Sequence, residues 1–219
     1  MMNFELNGDV GVITLDDGKA NAVGYDFIEA MNEGLDAASS QAKAVLITGR
    51  EGVFSAGFDL KEIQKGPDAA NAMVSKGAEM LLRIFAHPQP VVVAAGGHAI
   101  AAGALILLAA DTRIGVTGDF KFGLNETAIG MSLPTFGMQL ALARISMRHQ
   151  TQAIIQAQLF GPEDATDIGF LDEVVDPSGL QETALARAAA LAELPGSAYA
   201  NNKQDARASY IKTIRESLA

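Results

Sequence analysis

Val91-Val92-Val93-Ala94-Ala95-Gly96-Gly97-His98-Ala99-Ile100-Ala101-Ala102-Gly103-Ala104-Leu105-Ile106-Leu107-Leu108-Ala109-Ala110 contains one polar side chain, His98. It is about long enough to cross a membrane as a single helix. Its residues argue for something else. Three β-branched valines follow Pro88 and Pro90 and open the stretch as a strand, and Gly96-Gly97 would break a continuous helix. No basic cluster flanks either end. The stretch therefore reads as a buried strand, a small-residue turn and a buried helix from Ala102 to Ala110, and that order sets the fold class.

Working outward, Asp9 to Asp16 reads as a strand, Asp26 to Ala38 as a helix and Ala44 to Thr48 as a second apolar strand. Met73, Ala78, Leu81, Leu82 and Phe85 recur at helical spacing within Ala69 to Ala86, and the prolines at 88 and 90 close that helix. Thr112 to Val116 returns to strand. Nearly uninterrupted apolar strands separated by helices predict an α/β fold with a mostly parallel sheet covered on both faces. From Thr135 the pattern is mostly helical, broken by a short strand at Asp172 to Val175. Pro177-Ser178-Gly179 precedes two final helices, Leu180 to Glu193 and Ser197 to Leu218. These divide the chain into a core, 1–178, and a C-terminal helical region, 179–219.

The 219 residues suit one large domain, and 49% hydrophobic with 19% charged residues excludes disordered and collagen-like classes. With no cysteine there is no disulfide framework, zinc-thiolate site or cysteine nucleophile. A net charge of −10 without a basic patch argues against nucleic acid as a partner. Met1-Met2-Asn3-Phe4-Glu5 lacks the marks of a secretion signal, so the expected location is the cytoplasm, with no membrane partner.

Three segments could carry chemistry. Phe54-Ser55-Ala56-Gly57-Phe58-Asp59-Leu60-Lys61-Glu62 combines a tight small-residue turn with Asp59 and Glu62 at capping-box spacing, leaving the Phe58 N–H near a helix start. A merely capped helix fits the same residues. Gly96 to Ala104 presents N–H groups at a second helix start, and close helix–sheet packing also wants such small residues. It matches neither the dinucleotide fingerprint nor the Walker A loop, so no nucleotide cofactor is implied. In Phe120-Lys121-Phe122-Gly123-Leu124-Asn125-Glu126-Thr127, a carboxylate among apolar neighbours would have a raised pKa suited to a general base. An exposed turn glutamate is the other reading.

In this order the three segments resemble the crotonase (enoyl-CoA hydratase/isomerase) superfamily over almost the whole chain. Lys19 with Asn21-Ala22 is similar to the family's motif near the coenzyme A adenine. Phe160-Gly161-Pro162-Glu163-Asp164-Ala165 and Gly169 to Val175 resemble its segment after the core. The resemblance implies a crotonase-like (ββα) spiral core, with Phe58 and Ala102 amides as thioester oxyanion donors and Glu126 as catalytic acid/base. It also implies acyl-CoA contacts for Lys19, Asn21, Ala22, Ala56, Gly57, Asp59, Leu60, Lys61, Gly103, Leu105, Met131, Leu133 and Lys203. Coenzyme A enters as part of the substrate, with no separate cofactor and no metal. A homotrimer or dimer of trimers, a role in fatty acid metabolism and a C-terminal region shorter than the family's complete the expectation.

Family hydratases carry a second glutamate two residues beyond the second turn's last glycine; this chain has Leu105 there. Hydration needs water activated and a proton delivered, whereas moving a double bond from position 3 to position 2 needs one base. Gly123-Leu124-Asn125-Glu126-Thr127 also resembles the corresponding run of mitochondrial-type Δ3,Δ2-enoyl-CoA isomerases, so isomerisation is the expected reaction. Hydration and acyl-CoA binding without turnover are the alternatives. A serine hydrolase is disfavoured because Gly130-Met131-Ser132-Leu133-Pro134 lacks the elbow's final glycine and its strand-to-helix setting. His87, His98 and His149 are too scattered for a metal site.

Overall fold

The computed structural model describes residues 2–219; Met1, part of the N-terminal segment read above, lies outside them. Every residue of β3 (Ala44–Thr48) and β5 (Val91–Ala95) is buried. Along both strands the side chains alternate between two separate apolar clusters. Val45, Ile47, Val91, Val93 and Ala95 join one, and Ala44, Leu46, Val92 and Ala94 join the other. A strand buried on both faces has no polar alternation, which is why these segments read as continuous apolar runs.

They lie at the centre of a six-stranded sheet ordered β1-β2-β3-β5-β7-β9, with β1 (Met2–Asn7), β2 (Val10–Leu15), β7 (Thr112–Val116) and β9 (Glu173–Val175) completing it. The β1–β2 pair is antiparallel and every other pair is parallel. One face is covered by α1 (Tyr25–Gln41), α3 (Pro67–Phe85) and α4 (Ala102–Ala109). All eight residues of α4 are buried, so its all-round apolarity is that of a core helix. Among the described residues no helix is long and apolar enough to cross a membrane.

A second, three-stranded parallel sheet, β4-β6-β8, is built from Gly52–Ser55, Gly97–Ile100 and Phe122–Gly123. Each of its strands follows a strand of the large sheet, giving the successive ββα turns of a crotonase-like spiral: β3-β4-α3, β5-β6-α4 and β7-β8-α5, with α5 spanning Thr135–Arg144. The sequence reading missed this sheet. Strands of two to four residues, each with glycine at one end, are too short to show a period. β1 was missed as well.

After α6 (Pro162–Ile168) come the last two helices, the C-terminal helical region read from residue 179 onward. α7 (Leu180–Ala192) lays Leu180, Ala184, Ala188 and Ala192, one stripe at i, i+4 spacing, on the outer face of the large sheet. α8 (Gly196–Leu218) packs on α5 and α3. Removing α7 would expose the outer face of the large sheet.

Candidate active site

The two small-residue turns meet. β4 delivers Gly57, at φ 105°, to the start of α4. A methyl group built on Gly57 would stand 3.0 Å from the Ala101 Cβ and 3.6 Å from the Ala102 nitrogen. One built on Gly103 would stand 2.3 Å from the Ser55 carbonyl oxygen, an approach only glycine permits. Between them Ala101 is held at φ 52°, ψ −121°, a conformation costing a non-glycine residue on the order of 1–3 kcal/mol. That strain turns β6 abruptly into α4.

The consequence is a pair of free amides. Val23 bridges to Phe58, with Val23 N–H donating to the Gly57 carbonyl (2.8 Å) and Asp59 N–H donating to the Val23 carbonyl (3.1 Å). Strand alternation then turns the Phe58 N–H away from Val23. Ala101 N–H donates to the Gly123 carbonyl (3.0 Å), and the first bond inside α4 is Leu105 N–H to the Ala101 carbonyl (3.0 Å). Neither the Phe58 nor the Ala102 N–H donates to the protein among the described residues. Asp59 caps the four-residue α2 (Leu60–Ile63) by accepting from Lys61 N–H at 2.9 Å. The expected capping box does not close, because Glu62 pairs with Lys65 instead (2.6 Å).

The Ala101–Gly123 bond also positions Glu126, three residues past β8. Glu126 begins a single turn, Thr127–Ile129, and its carbonyl accepts from Ile129 and Met131 N–H groups. Its Oε2 is buried and accepts no hydrogen bond from the protein, as is the neighbouring Asn125 Oδ1. Burial pushes the Glu126 carboxyl above its ordinary range, against the opposing pull of its own backbone N–H. Leu105 is buried one turn into α4. A methyl group on Gly137 would stand 2.8 Å from Leu133 and 3.4 Å from Leu105, so both leucines approach α5 at this glycine. Met131 is exposed.

A cleft of about 880 Å³ opens beside the Gly57 turn, between the loop after β2, the first turns of α1, and α2. Lys19, Asn21, Ala22, Asp59 and Lys61 line it, while Glu126, Met131 and Leu133 do not. Ala56 ties its loop to the site, its N–H donating to the Ala20 carbonyl (3.0 Å), and Leu60 is exposed at the start of α2.

The chain matches the family described as enoyl-CoA hydratase/isomerase over residues 5–219. It belongs to that family. A short-chain-enoyl-CoA hydratase of Clostridium acetobutylicum is 32% identical over 191 residues, 83% of this chain and 71% of the relative. The human mitochondrial enoyl-CoA delta isomerase 1 is 30% identical over 196 residues, 87% of this chain and 65% of the relative. The crystal structure of an enoyl-CoA hydratase/isomerase family protein from Pseudomonas syringae superposes with a TM-score of 0.97 at 39% identity, covering 99% of this chain and 94% of that one. The fold is thus crotonase-like, and the chain is an acyl-CoA-processing enzyme of the enoyl-CoA hydratase/isomerase family.

Two residues expected to touch substrate in this family member are occupied elsewhere. The Asn21 side chain is buried. Its Nδ2 donates to the carbonyls of Leu15 and Phe54 (both 3.0 Å), its Oδ1 accepts from Asp17 N–H (2.9 Å), and its own carbonyl accepts from Ser55 Oγ (2.8 Å). With every side-chain group used, Asn21 brackets the end of β2 to β4 and positions the turn. Lys203 is 7% exposed and locked inside the fold. Its Nζ donates to Asp111 (2.6 Å) and to the carbonyls of His87 and Gln89 (2.7 Å each), which leaves no donor for a phosphate. The role of Ala101 had no sequence signal, because alanine is not a residue that announces a positive φ.

Proposed function

We propose that this chain is a Δ3,Δ2-enoyl-CoA isomerase using one carboxylate. The observation that carries the reading is the buried, unpartnered Glu126 Oε2, with leucine rather than a second carboxylate at position 105. In the reaction Glu126 takes a proton from C2 of a 3-enoyl thioester. The electron pair moves through the conjugated system onto the thioester oxygen, where the Phe58 and Ala102 amides stabilise the negative charge. Glu126 then returns the proton at C4, leaving the double bond at position 2. No water is consumed, and one residue serves as base and then acid. Each amide donor is worth ~2.7–4 kcal/mol of barrier. The carboxylate must be ionised to start, so activity falls on acidification through a pKa above the ordinary glutamate value.

The test is a substrate panel. A 3-enoyl-CoA should gain the absorbance of a conjugated thioester, and a 2-enoyl-CoA in water should not lose it. Loss of the 2-enoyl signal at a comparable rate would make the chain a hydratase, the activity named for the Clostridium relative. Binding without turnover of any enoyl-CoA would leave an acyl-CoA-binding protein. The cytoplasm is proposed on the N-terminal residues, which lack the marks of a secretion signal, and a trimer or pair of trimers on the family resemblance alone.

A further inference from the structure

The cleft beside the Gly57 turn is where the carrier of a thioester seated at Phe58 and Ala102 would run, yet its lining is anionic. Six carboxylates line it: Asp16, Asp17, Asp26, Glu33, Asp59 and Glu62. Lys19 and Lys61 are the only cations in the lining, and neither forms an ion pair among the described residues. Of the acids, only Glu62 is matched by a cation, Lys65. Asp16, Asp17 and Asp59 accept backbone N–H groups from Gly18, Lys19 and Lys61 at 2.7–2.9 Å. A hydrogen bond from a neutral amide leaves the carboxylate's charge in place. At Asp17 burial works to raise the pKa, but the amides of Asn21, Lys19 and Ala22 outweigh it and hold the carboxyl below its ordinary range. Five unmatched carboxylates therefore face two lysines. The rest of the surface is neutral, with Leu15, Ala20, Ala22 and Ala30 beside the rings of Tyr25 and Phe27.

We propose that this cleft binds the neutral parts of its thioester carrier, the base and the pantetheine arm, and works against the phosphates, so that at low salt the chain binds dephospho-CoA more tightly than CoA. The inference rests on the acyl-CoA reading above. The 3′-phosphate that distinguishes the two carriers brings roughly 1.5–2 negative charges near neutral pH. Across about 10 Å of solvent-exposed cleft, one like-charge pair costs roughly a twofold loss of affinity. The Debye length shrinks from about 30 Å at 0.01 M salt to about 8 Å at 0.15 M, so salt should relieve the repulsion. A site governed by lysine–phosphate attraction has the opposite salt dependence.

Calorimetric titration of the intact chain with CoA, dephospho-CoA and pantetheine, at about 0.01 M and about 0.15 M salt, tests this. Dephospho-CoA is expected to bind roughly two- to fivefold tighter than CoA at low salt, and the CoA affinity to rise with salt until the gap narrows. Asp26→Asn with Glu33→Gln, both on an exposed face of α1, should tighten CoA at low salt more than dephospho-CoA. CoA binding that is tighter than dephospho-CoA and weakens with salt overturns the proposal in favour of Lys19 and Lys61. Equal affinities at both salt concentrations overturn it too. If none of the three binds at millimolar concentration, the acyl-CoA reading of the cleft falls and takes this inference with it.

Discussion

The turn carrying Glu126 and the helix carrying Lys203 both bury ionisable groups, and they treat them in opposite ways. Around Asp111 every charged group has a partner. The carboxylate accepts from Val91 N–H (2.7 Å), Lys203 (2.6 Å) and Arg207 (2.7 Å). Arg207 also donates to the Phe85 carbonyl and lies 4.3 Å over the Phe85 ring, and Arg144 caps the carbonyls ending α4. Burial still draws Lys203 down to about 8 and Arg144 to about 10, which measures how thoroughly this clasp is desolvated. Around Glu126 the same desolvation comes without partners: its Oε2 and the neighbouring Asn125 Oδ1 are left with nothing to bond. A satisfied buried network fixes α8 to the core, and an unsatisfied one stores an affinity for something that supplies the missing charge and protons.

This contrast can be broken at either end. The largest effect is expected from Glu126→Gln, which should lower turnover of a 3-enoyl-CoA by about 10²–10⁴-fold while CoA binding persists in calorimetry. Because the folded-state pKa of Glu126 is raised, its ionised form opposes folding once pH rises through that pKa. The same variant should therefore melt at a higher temperature than wild type at neutral pH, and a lower melting temperature would place Glu126 in the structural class. Asp111→Ala is the mirror experiment. Stranding Lys203 and Arg207 should cost about 3–5 kcal/mol in urea unfolding, with kcat per folded molecule little changed. Gly57→Ala comes next. Its methyl would crowd Ala101 and part the two amides, lowering kcat by about 10²-fold, the cost expected of a misplaced catalytic group.

The smallest effect is a pH dependence within the clasp. His87 is drawn down to about 4 by burial, with the Lys203 charge adding to it. The unfolded chain binds that proton near pH 6.5 and the folded chain only near 4, so stability should fall as pH drops through that window. The slope is at most about 1.4 kcal/mol per pH unit. Urea midpoints at pH 7 and pH 5 for wild type and His87→Gln measure it, and the variant should show the shallower fall.

The parts of the fold legible in the sequence were those whose signal is local. Val91 to Ala110 announced a buried strand and helix because valine triplets, prolines and glycines constrain their own backbone. Gly57 and Gly103 marked turns that need no Cβ, while Leu105 stood out only against the glutamate that the resemblance to family hydratases implies there. The second sheet left no such trace, since its strands pair residues such as Val53 and His98 and are too short to carry a period. Lys203 was misread for the same reason. On its own helix it is one lysine among polar residues, and its partner Asp111 lies 92 positions away. Asn21 likewise owes its role to Phe54, 33 positions along the chain.

The sequence by itself determined the central strands and the long helices, the small-residue turns, the carboxylate at 126 and the apolar side chain at 105, because propensity, sterics and side-chain chemistry belong to residues. Only the tertiary structure decided which buried polar groups found partners. A hydrogen bond is a relation between two places in space, and here Lys203 and Asp111 were brought together while Glu126 Oε2 and the amides of Phe58 and Ala102 were left unmatched.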